Sequence, residues 1–180
     1  MVAPTRARTR RIVATLAAAL LVLTGLTSCT PEIKGITGLT VDADGRPLAA
    51  LTWCADKPPD VIVLATEDAV SPTPSGAPAP SANWPSWPGR DYDVPGDVTS
   101  PASVQLPGFP PDPAPDRRAT FRMYGVAGNN SFTTHSVTFR LPELAGLQPG
   151  SVMITAIVNN DEVPKYVSLD EFARLGRAEC

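Results

Sequence analysis

The stretch Ile36–Ala55, ITGLTVDADGRPLAALTWCA, holds two β-forming runs on either side of a turn. Thr37, Leu39 and Val41 fall on one face by the period-two rule, and Asp42, Asp44 and Gly45 supply turn chemistry before a second strand, Pro47 to Ala55. Asp42, Asp44 and Gly45 also have the opening spacing of a calcium loop. Arg46 and Pro47 follow, however, and no glutamate closes the loop, so a plain hairpin turn is the reading.

Further strands follow from the same rule. Asp60 to Thr66 contains Val61, Ile62, Val63 and Leu64, apolar on both faces and so expected to be central. Thr120 to Tyr124 alternates, with Phe121 and Met123 on one side and Arg122 on the other. Asn129 and Asn130 belong to a turn, after which Thr133 to Leu141 places Val137 and Phe139 on one face. Parity puts His135 on that same face. Pro142 to Leu147 reads as one helical turn, proline being tolerated near its start. Val152 to Val158 and Val163 to Val167 complete about seven strands. The expected class is mainly β, an antiparallel sandwich with a short C-terminal helix and a long proline-rich insertion.

That helix has a clear signature. Ser168 and Glu171 form a capping box, Leu169, Phe172 and Ala173 the buried stripe, and Gly176 a natural stop.

The beginning of the chain is different in kind. Residues 1–28 carry four arginines, no acid, and an apolar run from Ile12 to Leu26. A basic start, an apolar core and a small-residue cleavage site make a signal peptide. The core is shorter than the roughly 20 residues that span a bilayer. Arg10 and Arg11 also suit a twin-arginine signal, so folded and unfolded export both stay open. Leu26-Thr27-Ser28-Cys29 has the form of a lipoprotein cleavage site, which makes Cys29 the lipidated first residue of the mature chain. Residues 29–35 then form a tether of at most about 20 Å, and residues 36–180 the domain.

Cleavage changes the charge. Four of the 15 basic residues leave with the signal peptide and all 18 acids stay, so a formal net charge of −3 becomes −7. That sign argues against nucleic acid and against anionic lipid headgroups as partners. With Cys29 assigned to lipid, Cys54 and Cys180 remain as an even pair in an oxidising compartment. A disulfide between them is expected over two free thiols.

Residues 71–116 hold 13 of the 21 prolines. Proline lacks the N–H that a sheet interior requires, so this insertion is expected to be extended or irregular. Trp84 and Trp87 within it, with Tyr92 nearby, are the candidate recognition surface for a peptide, protein or glycan. The alternative is that the tryptophans pin a proline-rich flap onto the sheets.

Two resemblances bear on this. Residues 36–42 with Gly45, Pro47 and Leu48 are similar to the opening hairpin of transthyretin-like and carboxypeptidase-regulatory-like sandwiches, which implies a sandwich and no activity. More broadly, the chain resembles an uncharacterised group of actinobacterial (Streptomyces-type) lipoproteins. The matching parts are the Cys29 site, the hairpin, Cys54, residues 123–125, 137–139 and 144–150, and the ending Val167 to Phe172 before a terminal cysteine. The proline-rich middle departs from that pattern. The resemblance implies location and architecture, and carries over no functional residue.

Catalytic chemistry has little to draw on. His135 is the one histidine, which rules out a multi-histidine metal cluster within one chain, and no Gly-x-Ser-x-Gly elbow or glycine-rich phosphate loop is present. Cys54 and Cys180 lack the spacing of a redox motif. No cofactor, metal or catalytic residue is assigned. The expectation is a lipoprotein on the outer face of the cytoplasmic membrane, held there by acyl chains on Cys29. It would act as a non-catalytic envelope module, or else as a structural accessory or a hydrolase of envelope material.

Overall fold

The computed structural model describes residues 30–67, 87–115 and 118–179. Ten strands run through them, β1 (Glu32–Val41), β2 (Pro47–Trp53), β3 (Val61–Thr66), β4 (Arg90–Asp93), β5 (Ala102–Gln105), β6 (Thr120–Val126), β7 (Phe132–His135), β8 (Val137–Arg140), β9 (Ser151–Val158) and β10 (Asp161–Ser168). Two helices accompany them, α1 (Leu141–Leu144) and α2 (Leu169–Ala178).

The three strands beyond the expected seven have identifiable origins. Two, β4 and β5, lie in the proline-rich insertion, which is therefore not wholly irregular. They are four residues each and sit at sheet edges, where neighbouring prolines cost no ladder hydrogen bond. The third comes from a break at Ser136. Val126 pairs with Thr133 but Met123 pairs with Val137, so four residues on one strand oppose three on β6. That is a β-bulge, and it splits the expected Thr133–Leu141 strand into β7 and β8. It also reverses the parity: Phe132 and Thr134 point inward with Val137 and Phe139, and His135 points out.

β1 organises the sheet. One edge pairs with β2 from Gly35↔Trp53 to Val41↔Pro47, through the expected hairpin. Asp42 closes that turn, its carboxylate accepting from the amides of Asp44 and Arg46 at 2.9 and 2.8 Å. The other edge is shared. Its first half takes β7 in parallel, an exception to the expected antiparallel order, and its second half meets β9 at Leu39↔Met153. β2 continues to β5, β9 to β10, and β6 to β3 and β4. β3 is thus interior to its half of the sheet, with Ile62 and Leu64 buried and Val61 and Val63 only half covered.

The sheet curls on itself, and side chains from its two halves fill one core. Leu39, Val41, Leu51 and Met153 come from one half, Ile62, Leu64, Phe121, Met123, Val137 and Phe139 from the other. Alternation is what sends Phe121 and Met123 inward and leaves Arg122 outside. Thr37 is buried beside Leu39 at no net polar cost, because its hydroxyl bonds that of Thr134, which in turn accepts from the Gly125 amide at 2.7 Å.

A second cluster of Ile36, Ala50, Val152, Ile154, Val167 and Phe172 lies on the opposite face of the β1–β2–β9–β10 half, under α2. Ser168 caps this helix as expected, accepting from the Glu171 amide at 3.2 Å. Glu171 does not reach back to complete the box, because its carboxylate holds Arg174 at 2.7 and 2.8 Å. The buried stripe is Phe172, Leu175 and Gly176, whereas Leu169 is 45% exposed.

Gly176 does not stop the helix. It is a contact residue: a Cβ there would overlap the Thr52 side chain, just as one on Gly38 would overlap Val152. Thr52 cannot turn aside freely, since its hydroxyl accepts from the Ile36 amide at 3.2 Å inside the protein. Gly176→Ala should therefore destabilise by about 1–3 kcal/mol through overpacking. At an ordinary helix interior the same change gains about 0.5–1 kcal/mol, so the sign is diagnostic. Urea unfolding measures it, and a raised midpoint would show that α2 does not dock this closely.

Candidate functional site

Where β1 passes from its β7 partner to its β9 partner, the two strands diverge and a recess opens between them. Its volume is 290 Å³. Ile36, Ile154, Ile157 and Leu175 give it an apolar lining, and Thr37, His135, Glu162 and Glu179 give it polar groups. Beyond it, β8 and β9 are joined by a side chain, the Thr138 amide donating to Thr155 Oγ1 at 2.7 Å.

His135 reaches the rim because the bulge at Ser136 turns it outward. Its Nε2 lies 3.1 Å from Glu179 Oε2, just past the end of α2. The pair is 44 residues apart in sequence, so only the docking of α2 brings it together. A carboxylate can orient a histidine base, but the nearby hydroxyl of Ser136 is already engaged by Arg122 Nη1 at 3.1 Å.

Arg122 is the other polar centre. Its Nη2 donates to Glu67 at 2.8 Å and lies 3.4 Å from both oxygens of Glu162, tying β6 to the end of β3 and to β10. The hydrogen bond to Glu67 and the field of Glu162 hold the guanidinium above its ordinary pKa, against a partial loss of solvent. Glu162, at the start of β10, thus belongs to this network. Among the described residues, no cluster of three or more histidine, cysteine or acidic side chains has the closeness of a metal site.

The tryptophan surface needs correction. Trp87 packs against Phe109 and Phe121, ring centroids 5.8 and 5.6 Å away, and is half-buried on the core. Tyr92 is 7% exposed, because β4 pairs with β3 and sends Tyr92 inward opposite Ile62 while Asp91 and Asp93 face out. Burial pushes its phenol pKa up, and its hydroxyl has no partner among the described residues. Trp84 lies outside the described residues. The flap-pinning alternative describes Trp87, and Tyr92 is withdrawn from the surface.

Cys54 follows β2 and is disulfide-bonded. Cys29 and Cys180 both lie outside the described residues. No described helix is long and apolar enough to cross a membrane. No protein-family model, curated protein or solved structure matches the chain.

Proposed function

We propose that the mature protein is a lipid-anchored, extracytoplasmic module of the cell envelope that binds a protein, peptide or glycan without catalysing a reaction. The observation that carries this reading is the junction of Leu26-Thr27-Ser28-Cys29 with a β-sandwich whose first strand begins at Glu32. A lipid-modified cysteine followed at once by a folded domain is the layout of a surface-displayed module. The recess beside His135 supports the binding reading, since it pairs an apolar lining with a few convergent polar groups.

Cys54 and Cys180 complete the proposal as its disulfide. Cys54 and Glu179 line one surface hollow together with Glu32, Ile33 and Lys34, and Cys180 is the next residue along the chain.

The anchor is tested directly. Cys29→Ser should move the protein from the membrane fraction to the soluble fraction, or leave it unprocessed, and should abolish incorporation of a labelled fatty acid. Normal processing and membrane retention would refute it. A hydrolase of envelope material is the second reading, favoured only by the His135–Glu179 pair. It would need His135→Gln to abolish turnover of an envelope polymer while the fold survives.

A further inference from the structure

The strand register sorts the surface into two ends. β1 runs away from Glu32, and β9 runs antiparallel to it through Leu39↔Met153, so Val158 ends level with the beginning of β1. The same end carries His135, paired with Ile36, and Glu179, which shares a hollow with Glu32 and Cys54. The β9–β10 hairpin closes there through Asn159 and Asn160, both at positive φ. Such a two-residue turn makes a tight, projecting tip.

The turn itself is polar, but the end of β9 that leads into it is apolar and exposed. Ile157 is 66% exposed, Val158 50%, and Ile33 on the same end 45%. The other large exposed apolar residues, Tyr166 and Leu169, lie toward the far end, level with Leu39 and beyond.

We propose that this end faces the lipid surface, with Ile157 and Val158 meeting the interfacial region of the bilayer and the recess beside His135 left to a partner held at that same surface. The inference rests on Cys29 being the lipid anchor. What selects lipid as the occupant is the length of chain available. The expected tether of residues 29–35 shrinks once β1 is seen to start at Glu32. Two residues, Thr30 and Pro31, separate Cys29 from that strand, three Cα-to-Cα steps with a reach of at most about 10 Å. A tether this short keeps the β1 end of the domain against the headgroups, and the exposed apolar residues are on that end. The driving force is apolar rather than electrostatic, since Asp161 and Glu162 pair with Val158 and Ile157 across the hairpin and would gain nothing from anionic lipid.

The test uses the full lipidated protein on phosphatidylcholine vesicles, with an environment-sensitive fluorophore placed through Val158→Cys, Ile33→Cys or, at the far hairpin, Asp44→Cys. Emission from the first two should shift to shorter wavelength on vesicles, and emission from the third should keep its aqueous value. If the protein floats with the vesicles and all three labels stay aqueous, the tip does not meet lipid and the proposal falls while the anchor stands. If the protein does not float, the anchor falls and the proposal with it. A shift at Val158 in the Cys29→Ser protein that grows with concentration and needs no vesicles would assign the tip to a second copy and overturn the lipid assignment.

Discussion

Phe121→Ala should cost about 3–5 kcal/mol, the range for deleting a fully buried phenylalanine. Against a total stability of roughly 5–15 kcal/mol, that leaves the protein marginal. Phe121 is wholly inaccessible and touches three other rings, with centroids at 5.4 Å to Phe109, 5.6 Å to Phe139 and 5.6 Å to Trp87. It lies on β6, stacks on Phe139 of β8, and meets Phe109 and Trp87 from the proline-rich segment. Its loss therefore leaves a cavity where the insertion is fastened to the sheet, and the neighbours can collapse only by releasing that segment. Trp87→Ala should cost less, because Trp87 covers the cluster from the rim. Denaturant unfolding followed by far-ultraviolet circular dichroism checks both. A loss below about 1 kcal/mol for Phe121→Ala would mean the aromatic cluster does not hold the two parts together.

Cys54→Ser should cost up to about 4–5 kcal/mol if the bridge to Cys180 closes the long loop between them. The side chain itself contributes little packing, since Cys54 is exposed. The loss would act through the unfolded chain, which gains the conformations that the crosslink forbids. This separates it from Phe121→Ala, where the damage is in the folded core. Cys54→Ser, Cys180→Ser and the double variant should all lose the same amount, because each removes one shared bond. Additive losses would sink the pairing, as would two alkylatable thiols in the non-reduced mature protein.

These outcomes depend on features that were unequally legible in the sequence. Phe121, Met123 and Arg122 could be assigned to faces because strand alternation is local, and the Asp42–Gly45 turn because its chemistry lies in four residues. β4 and β5 could not, since strands of four residues among prolines form only because β3 and β2 offer them edges. His135 was assigned to the wrong face because one extra residue at Ser136 inverts every parity argument that crosses it. Gly176 was ambiguous for a different reason. A glycine near a helix end serves equally as a stop or as a place of close approach, and only the position of Thr52 separates the two. The recess was beyond reach, for its polar pair joins residues that helix docking alone makes neighbours. The Asn159–Asn160 turn was missed although its signal was present: two adjacent residues tolerant of positive φ between two apolar runs.

The edges of the sheet have a consequence for encounters between copies of the chain. Among the described residues, β4, β5 and β10 each have an edge that pairs with no further strand, and each is interrupted or flanked by proline: Pro88 and Pro95 about β4, Pro101 and Pro107 about β5, Pro164 within β10. A bare edge is a template on which another chain can add a strand. Prolines withhold the donors that a growing sheet would need, and on β10 Asp161, Glu162 and Lys165 add charge. The proline content that obscured the fold in the sequence thus guards the sheet against edge-to-edge growth.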